Sequence, residues 1–168
     1  MLREIPQVLR SPFDGFFLDL DGVFADFEGR FFKLTGRQCR EVSQRELWKV
    51  VMADRNFFYD LELMPNADVL WRYCKQYNPC FLTGLPVKQA FRDQKLRWVS
   101  DKFGAEWVCH VVPKRDKQKH SGPNKVLIDD SLENIEQWIS KGGLGILHDG
   151  DVWKTIDQVE ALRLAYNI

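Results

Sequence analysis

Short runs of hydrophobic residues alternate along this chain with longer amphipathic stretches. The runs lie at about 15–20, 79–82, 107–112, 125–129 and 144–148, and we expect each of them to form a strand. The first run, GFFLDL, has apolar residues at consecutive positions, which is typical of a parallel strand buried on both faces. Strands that alternate with helices predict an α/β fold, in which helices cover both faces of a central parallel sheet.

The stretches between the runs have the periodicity of amphipathic helices. One helix is expected to begin near Pro86 and to end at Gly104, because proline favours a helix start and glycine a helix end. In the last stretch, TIDQVEALRLAY, Thr155 and Gln158 have the spacing of a capping box. Four basic residues of the helix after Pro86 are expected to form a solvated face: Lys88, Arg92, Lys95 and Arg97.

One region, at about 30–64, interrupts this alternation directly after the first strand. It contains SQRELWKVV, in which Ser43 and Glu46 have capping-box spacing, so we expect a helical insertion. We therefore divide the chain into a core domain, 1–29 and 65–168, and a small helical cap, 30–64. An insertion at this point is well placed to act as a lid over the end of the first strand.

Composition and charge narrow the class of protein. The chain has 168 residues, the size of one domain with a small insertion, and its 24 basic residues balance 24 acidic ones. This balance argues against a nucleic acid polymer as partner. No apolar run approaches the roughly 18 residues of a membrane span. The start of the chain has no secretory pattern and the four cysteines are scattered, so we expect reduced thiols and a cytoplasmic location.

Two pairs of aspartates follow predicted strands. Asp19 and Asp21 come at the end of the first strand, and Asp129 and Asp130 come at the end of the fourth. Parallel strands bind ligands at their carboxyl ends, where these side chains are expected to meet. Neighbouring carboxylates repel each other unless a cation lies between them, and Mg²⁺ prefers oxygen ligands. We therefore predict a Mg²⁺ site held by Asp19, Asp130 and the backbone carbonyl of Asp21, with Asp129 in a weaker or indirect role.

The other two strand ends supply groups that suit a phosphate. Thr83 and Gly84 follow the second strand and offer a hydroxyl and backbone N–H groups, and the lysine-rich loop PKRDKQK follows the third. A lysine there would place positive charge on the phosphate oxygens. Lys117 is our first choice and Lys114 the second, and Lys119 lies in the same loop, so the choice among the three stays open.

These residue types support phosphoryl transfer. The Asp19 carboxylate can attack phosphorus and form an aspartyl-phosphate. Asp21, two residues further on, points to the same side. It can protonate the leaving oxygen and then deprotonate the attacking water. Gly22 permits the tight turn that exposes both side chains.

The motifs DLDGV, LTG, a lysine and IDDS, in that order, resemble those of the haloacid dehalogenase superfamily of phosphatases, and the match runs from residue 19 to residue 130. The resemblance implies a three-layer Rossmann-like core. It also implies that the first aspartate is the nucleophile and the second the acid and base. The threonine and lysine would then hold the phosphate, and the late acidic pair would hold Mg²⁺.

A narrower resemblance connects DLDGVFADFEG, FFYDLELMPNA, KLRWVSDKFG and RDK…LIDD with the 5'(3')-deoxyribonucleotidases. It implies Mg²⁺-dependent dephosphorylation of nucleoside monophosphates, preferably deoxyribonucleotides. It also implies that Phe27 lies near the sugar or base and that Lys117 is the phosphate lysine. The chain departs from that pattern at Gly84, where those enzymes usually have a second hydroxyl residue.

Three alternatives stay open at this stage. The first is a related phosphatase acting on a sugar phosphate or another small metabolite. An aromatic slot facing Asp19 would support a base, and a ring of polar groups would support a sugar. The second is a receiver-like signalling module, although its acidic pair comes early and it has no lid. The third is an inert relative that binds nucleotide without turnover. The chain could act as a monomer or a homodimer.

Overall fold

The computed structural model describes residues 11–84 and 88–166, so the helix start expected near Pro86 lies outside the described residues. The described residues contain a five-stranded sheet in which every neighbouring pair is parallel. The strand order is β3-β2-β1-β4-β5. The strands are β1 Gly15–Leu18, β2 Cys80–Gly84, β3 Cys109–Val112, β4 Lys125–Asp129 and β5 Leu144–Leu147.

Helices connect the strands, as the periodicity predicts. They are α1 Phe27–Thr35, α2 Gln44–Ala53, α3 Ala67–Cys74, α4 Gln89–Phe103, α5 Leu132–Ser140 and α6 Val152–Ala165. A 3₁₀ segment, Lys114–His120, lies between β3 and β4. Among the residues that the structure describes, no helix is both long enough and apolar enough to cross a membrane.

The predicted α/β fold class is confirmed, and the alternation of β1 side chains shows how its layers form. Phe16 and Leu18 are buried in the larger core cluster, together with side chains of α3, α4 and α6. Phe17 faces the opposite way and packs with Leu127 and Trp138, whose ring centroid is 5.2 Å from that of Phe17. Successive side chains of a strand point to opposite faces, so one strand contributes to both layers.

β1 lies between β2 and β4, and this position creates the crevice for a site. The chain builds β1, β2 and β3 outward to one edge and then returns to place β4 on the other side of β1. Ligands of open α/β sheets bind at such a reversal, outside the carboxyl ends of the strands. Leu18 pairs with Ile128, and the Asp19 amide donates to the Ile128 carbonyl at 2.9 Å. The two pairs of aspartates therefore meet at this crevice.

The predicted helical character of the inserted segment is also confirmed. α1 begins at Phe27, three residues before the boundary drawn at 30, and α2 follows. Ser43 caps α2 and accepts a hydrogen bond from the Glu46 amide at 3.2 Å, as its spacing predicts. Arg30 binds Asp54 through two nitrogen atoms and so ties the two helices of the insertion together.

Several predicted boundaries are wrong. β1 ends at Leu18 rather than at 20, and β2 extends to Gly84, so Thr83 belongs to the strand. The capping box at Thr155 is also wrong, because α6 begins three residues earlier and Asp151 caps it. The Thr155 hydroxyl instead lies 2.8 Å from Nδ1 of the buried His148. Local spacing could not show that α6 gains a better cap from the preceding loop.

Candidate active site

The tight turn after β1 brings the first strand end against the fourth. The Leu20 carbonyl accepts hydrogen bonds from the amides of residues 23–25, which folds the chain back on itself. Gly22 has a φ of +82°, and a Cβ there would lie 2.1 Å from Oδ2 of Asp130. Only glycine satisfies both the backbone conformation and this close approach. Glycine at position 22 therefore allows the turn after Asp19 to approach Asp130.

Three carboxylates meet at the predicted metal site. Asp19, Asp129 and Asp130 each offer an oxygen atom, and these atoms all lie within 4.8 Å of one another. Oxygen donors of this kind suit a hard divalent cation such as Mg²⁺. The Asp21 carboxylate does not belong to this group, and the role expected for Asp21 at the metal involves its backbone carbonyl. The chain thus brings together carboxylates that lie more than a hundred residues apart in the sequence.

Of the three candidate lysines, Lys117 lies closest to the carboxylates. Its side chain is 4% exposed, and Nζ donates to Asp19 Oδ1 at 2.6 Å and to Asp129 Oδ2 at 2.8 Å. Lys114 lies on the cavity wall and is exposed, and Lys119 is exposed on the same 3₁₀ segment. The 3₁₀ turn directs Lys117, the first choice from the sequence, inward and leaves Lys114 and Lys119 exposed to solvent.

Asp129 is held more tightly than the sequence indicated. It is fully buried, and both of its carboxylate oxygens accept hydrogen bonds from Asn134 Nδ2 at 3.0 Å. The Ser131 amide adds a third bond at 2.9 Å. Asn134 lies on the first turn of α5, directly after the segment that carries Asp129 and Asp130. These donors fix the orientation of Asp129 and leave Asp130 as the member of the pair that lines the cavity.

Burial and neighbouring charges together shift the pKa values of the site. It raises the pKa of Asp19 to about 7, assisted by the charges of Asp129 and Asp21 and opposed by Lys117. Partial burial and the charge of Asp129 likewise raise the pKa of Asp130, although its side chain is exposed at the cavity. Burial alone would lower the pKa of Lys117, but the Asp19 and Asp129 carboxylates outweigh it and hold that pKa above its usual value. Such crowding of carboxylates is what a bound divalent cation would relieve.

The raised pKa of Asp19 predicts a pH-dependent stability in metal-free protein. An unfolded aspartate ionises near 3.8, so the stability linked to a protonated Asp19 is lost as the pH rises from there through about 7. The asparagine side chain of the variant Asp19→Asn cannot ionise. We expect the unfolding free energy of this variant to gain about 3 kcal/mol on the wild type between pH 5 and pH 8. Urea denaturation in EDTA measures this difference, and a pH-independent difference would contradict the prediction.

Of the two residues predicted to bind phosphate at the end of β2, only Gly84 lines the cavity in the part of the chain that the structure describes. Thr83 is fully buried, and its hydroxyl accepts a hydrogen bond from Lys95 Nζ at 2.9 Å, whereas Gly84 lines the cavity. Lys95 was expected on a solvated face, and this is wrong: the side chain is 4% exposed and also donates to Asp21 Oδ2 at 2.5 Å. The side chain of Lys95 therefore lies between two residues that were assigned to catalysis and phosphate binding.

The sequence contained a signal that could have found Lys95. The residue lies four positions after Phe91 and three before Trp98, and both of these side chains are buried in the core. Residues at this spacing share one face of a helix. A lysine within an apolar stripe needs a buried partner, because an unpaired buried charge is costly. The prediction missed Lys95 because its basic neighbours on the helix indicated a solvent-exposed face.

A cavity of about 550 Å³ opens above these residues, between the sheet and the inserted helices. Phe27, the predicted substrate contact, lines it at the start of α1 and packs against Phe57, with ring centroids 5.0 Å apart. Of the other aromatics on the lid side, Trp48 and Phe58 line the cavity, whereas Phe57 is buried beneath it. The wall contributed by residues 27–64 is mainly apolar, and the residues on it are Phe27, Glu28, Gln44, Leu47, Trp48, Phe58 and Met64.

Three solved structures with a similar fold are described as hydrolases. A haloacid dehalogenase-like family hydrolase from Xanthomonas campestris superposes with a TM-score of 0.59 at 15% identity, covering 90% of this chain and 92% of that one. A hydrolase from Streptococcus pneumoniae gives a TM-score of 0.53 at 14% identity, over 93% and 99% of the two chains. A haloacid dehalogenase-like family hydrolase from the same species gives 0.54 at 13% identity, over 90% and 97%.

At these identities the likeness shows the fold, so the chain has the α/β fold of haloacid dehalogenase-like hydrolases. No protein-family model matches the sequence, and neither does any curated protein. The function must therefore be inferred from the chemistry of the site itself.

Proposed function

We propose that the protein is a Mg²⁺-dependent phosphomonoester hydrolase that acts on nucleoside monophosphates, preferably deoxyribonucleotides. One observation carries the proposal: Asp19, Asp130 and Lys117, with Asp129 buried against them, lie at a cavity whose wall from residues 27–64 is mainly apolar and includes three aromatic rings. These four residues have the charges that phosphoryl transfer needs, and the wall has the flat apolar surface that a nucleobase needs. The resemblance of the sequence to the deoxyribonucleotidases agrees with both.

The proposed reaction has two steps, which use the side chains of Asp19 and Asp21. In the first, an Asp19 oxygen attacks phosphorus, the bond to the leaving oxygen breaks, and Asp21 gives that oxygen its proton. In the second, Asp21 takes a proton from water, which attacks phosphorus and releases phosphate from Asp19. Both side chains line the cavity, and Lys117 and the backbone around Gly84 lie beside them. Lys117 also limits the repulsion between the Asp19 carboxylate and an approaching phosphate.

The residues present fit a Mg²⁺ ion. Asp19 and Asp130 would bind it through carboxylate oxygens and Asp21 through its carbonyl, with Asp129 beside them. When bound, the ion supplies positive charge that neutralises the phosphoryl oxygens. The choice of Mg²⁺ rests on the donor set, which consists of carboxylates without a described histidine or cysteine among them.

The composition of the cavity wall favours a nucleotide over a sugar phosphate. Trp48, Phe58 and Phe27 present aromatic rings, and Met64 and Leu47 add apolar surface. Every nucleobase offers a face for stacking, whereas a sugar requires a set of hydrogen-bonding groups. Two polar side chains on the same wall, Gln44 and Glu28, are available to the polar edge of a base.

The sheet order speaks against a receiver module. Flavodoxin-like receivers have the strand order 2-1-3-4-5, in which β1 is adjacent to β3. In this chain β1 is adjacent to β4, and the acidic pair that meets Asp19 comes from that late strand.

A substrate panel tests the proposal. Phosphate release from dUMP, dTMP, UMP and glucose 6-phosphate is measured with Mg²⁺ and with EDTA. We expect the deoxyribonucleotides to have the highest kcat/KM and glucose 6-phosphate a value at least about 10-fold lower, because the sugar phosphate lacks a stacking group. EDTA should reduce every rate by about 100-fold or more. Equal rates for dUMP and glucose 6-phosphate would contradict the assignment of a nucleotide.

A matched pair of variants separates the aromatic wall from other effects in the same assay. Trp48→Ala removes a ring from the cavity, and Trp153→Ala removes an exposed ring from α6. We expect Trp48→Ala to raise KM for dUMP by about 10-fold and to leave glucose 6-phosphate unaffected, since stacking on one base contributes about 1–3 kcal/mol. Trp153→Ala should change neither value.

A further inference from the structure

Lys95 is a buried charged residue that the reaction described above does not use. It projects from α4 and lies on the cavity wall with 4% of its side chain exposed. Its Nζ donates to Asp21 Oδ2 and to the Thr83 hydroxyl. A buried ammonium is costly unless it is paired, so this position is stabilised by the Asp21 carboxylate. The carboxylate that pairs with it is the proposed acid and base.

The ammonium group retains hydrogen-bonding capacity. Lysine has three N–H donors, and within residues 11–84 and 88–166 two of them have oxygen acceptors, on Asp21 and Thr83. The Phe58 ring lies close by, with its centroid 4.7 Å from Nζ. Phe58 lines the cavity on the cap side, so the ammonium lies where the cap meets the catalytic carboxylates. A ligand oxygen that enters the cavity next to Asp21 therefore meets this charge.

Packing fixes the helix that carries Lys95. The adjacent Gln94 accepts hydrogen bonds from the amides of Phe58 and Tyr59 at 3.1 and 3.2 Å. One turn later Trp98 donates to the Leu61 carbonyl at 2.8 Å. These bonds attach α4 to residues 58–61, the last part of the cap. The ammonium and the Phe58 ring are thus held in place together, as a binding site requires.

Lys95 takes the place at the cavity that the sequence assigned to Thr83. In the part of the chain that the structure describes, Lys95 and Gly84 line the cavity, whereas the Thr83 hydroxyl is fully buried behind the ammonium. A hydroxyl in that position can orient the lysine, but the lysine is the group that lines the cavity. The positive charge on this side of the site consequently comes from α4.

The charges of the site also favour a second lysine. Four carboxyl groups, those of Asp19, Asp21, Asp129 and Asp130, surround two buried ammonium groups. Lys117 donates to two of the carboxylates, and a divalent cation would bring the formal sum of the ionised site to zero. Lys95 adds one positive charge to this sum and so lessens the repulsion of a phosphate dianion.

We propose that Lys95 is a second phosphate-binding residue, which holds an oxygen of the transferred phosphoryl group next to Asp21 while it fixes the Asp21 carboxylate. This inference rests on the proposed function, because it names a further residue of the same site. A lysine reaches the phosphate as a compact charge with rotatable donors, which suits a group that changes shape during transfer.

The experiment measures the affinity for inorganic phosphate by calorimetry in the presence of Mg²⁺, together with KM and kcat for dUMP. Lys95→Met removes the charge and both hydrogen bonds, and Lys95→Gln removes the charge but keeps an N–H donor for Asp21 and Thr83. Lys102→Met is the matched control, an exposed lysine on the same helix. We expect both Lys95 variants to raise the Kd for phosphate by about 10- to 100-fold, as for other hydrogen bonds to charged groups. The control should match the wild type.

The outcomes separate the inference from the proposed function. A folded Lys95 variant whose phosphate Kd stays within about 2-fold of the wild type overturns the inference, whatever its activity. If Lys95→Met fails to fold, Lys95→Gln decides by the same criterion, with circular dichroism as the check. Lys95-dependent phosphate binding without hydrolysis of any monoester would leave the inference standing and overturn the proposed function. Hydrolysis of dUMP by the wild type, together with unchanged phosphate affinity in both variants, would overturn the inference and leave the proposed function standing.

Discussion

Replacing Asp19 with asparagine should reduce phosphate release from dUMP by at least about 10³-fold, with Mg²⁺ at saturation. The asparagine amide cannot attack phosphorus as a carboxylate does, so the first chemical step is lost. The backbone of residue 19 should stay in place, because its amide donates to the Ile128 carbonyl and this bond does not depend on the side chain. The loss should therefore appear in kcat rather than in the fold.

The matched control for this substitution is Asp14→Asn, which changes an exposed aspartate just before β1. We expect its kcat and KM to equal those of the wild type within about 2-fold, since surface substitutions rarely matter. Acid-quenched reactions with phosphorus-labelled substrate should yield label on Asp19 in the wild type and none in the variant. Normal turnover by Asp19→Asn would refute the aspartyl-phosphate mechanism.

Removing the charge of Lys117 should destabilise the protein as well as inactivate it. The ammonium lies between Asp19 and Asp129, and all three side chains are buried. Lys117→Met keeps most of the volume of the side chain but leaves two buried carboxylates without their cation. Breaking a buried ion pair from one side costs about 3–5 kcal/mol, and we expect a loss of this size in the unfolding free energy at pH 8 without metal.

Lys119→Met is the control for this effect, because Lys119 is exposed on the same 3₁₀ segment and pairs with Asp116 in solvent. Its loss should be below about 1 kcal/mol. The loss in Lys117→Met should also shrink at pH 5, where Asp19, with a pKa near 7, is already protonated. Urea denaturation of both variants at the two pH values measures these differences. Equal stabilities of Lys117→Met and Lys119→Met at pH 8 would show that the buried contacts of Lys117 carry no such energy.

The sequence predicted the sheet and most of the carboxylates of the site for one reason. A strand buried on both faces is a local pattern, and the residues that follow it are fixed in position by the chain itself. GFFL and KVLID were predicted as strands from this pattern, and Asp19 and Asp130 come directly after them. Ser43 at the start of α2 was equally readable, because a helix cap depends on residues only three positions apart.

Predictions from local sequence patterns failed where a side chain binds a residue outside that pattern. Thr155 and Gln158 satisfied the spacing of a capping box, yet Asp151 caps the helix and the Thr155 hydroxyl bonds to His148. Lys95 failed in the same way. Its sequence neighbours are basic, but its partners, Asp21 and Thr83, lie 74 and 12 positions away.

The sequence by itself therefore determined the fold class, the approximate positions of the strands and the residue types that meet at the crevice. Only the tertiary structure decided which of three lysines enters the site, that a fourth from α4 joins it, and that Thr83 lies behind that lysine. The physical reason is the length and flexibility of the lysine side chain. A carboxylate on a short side chain stays where its strand puts it, whereas an ammonium on four methylenes goes to whichever buried partner the packing of distant segments provides.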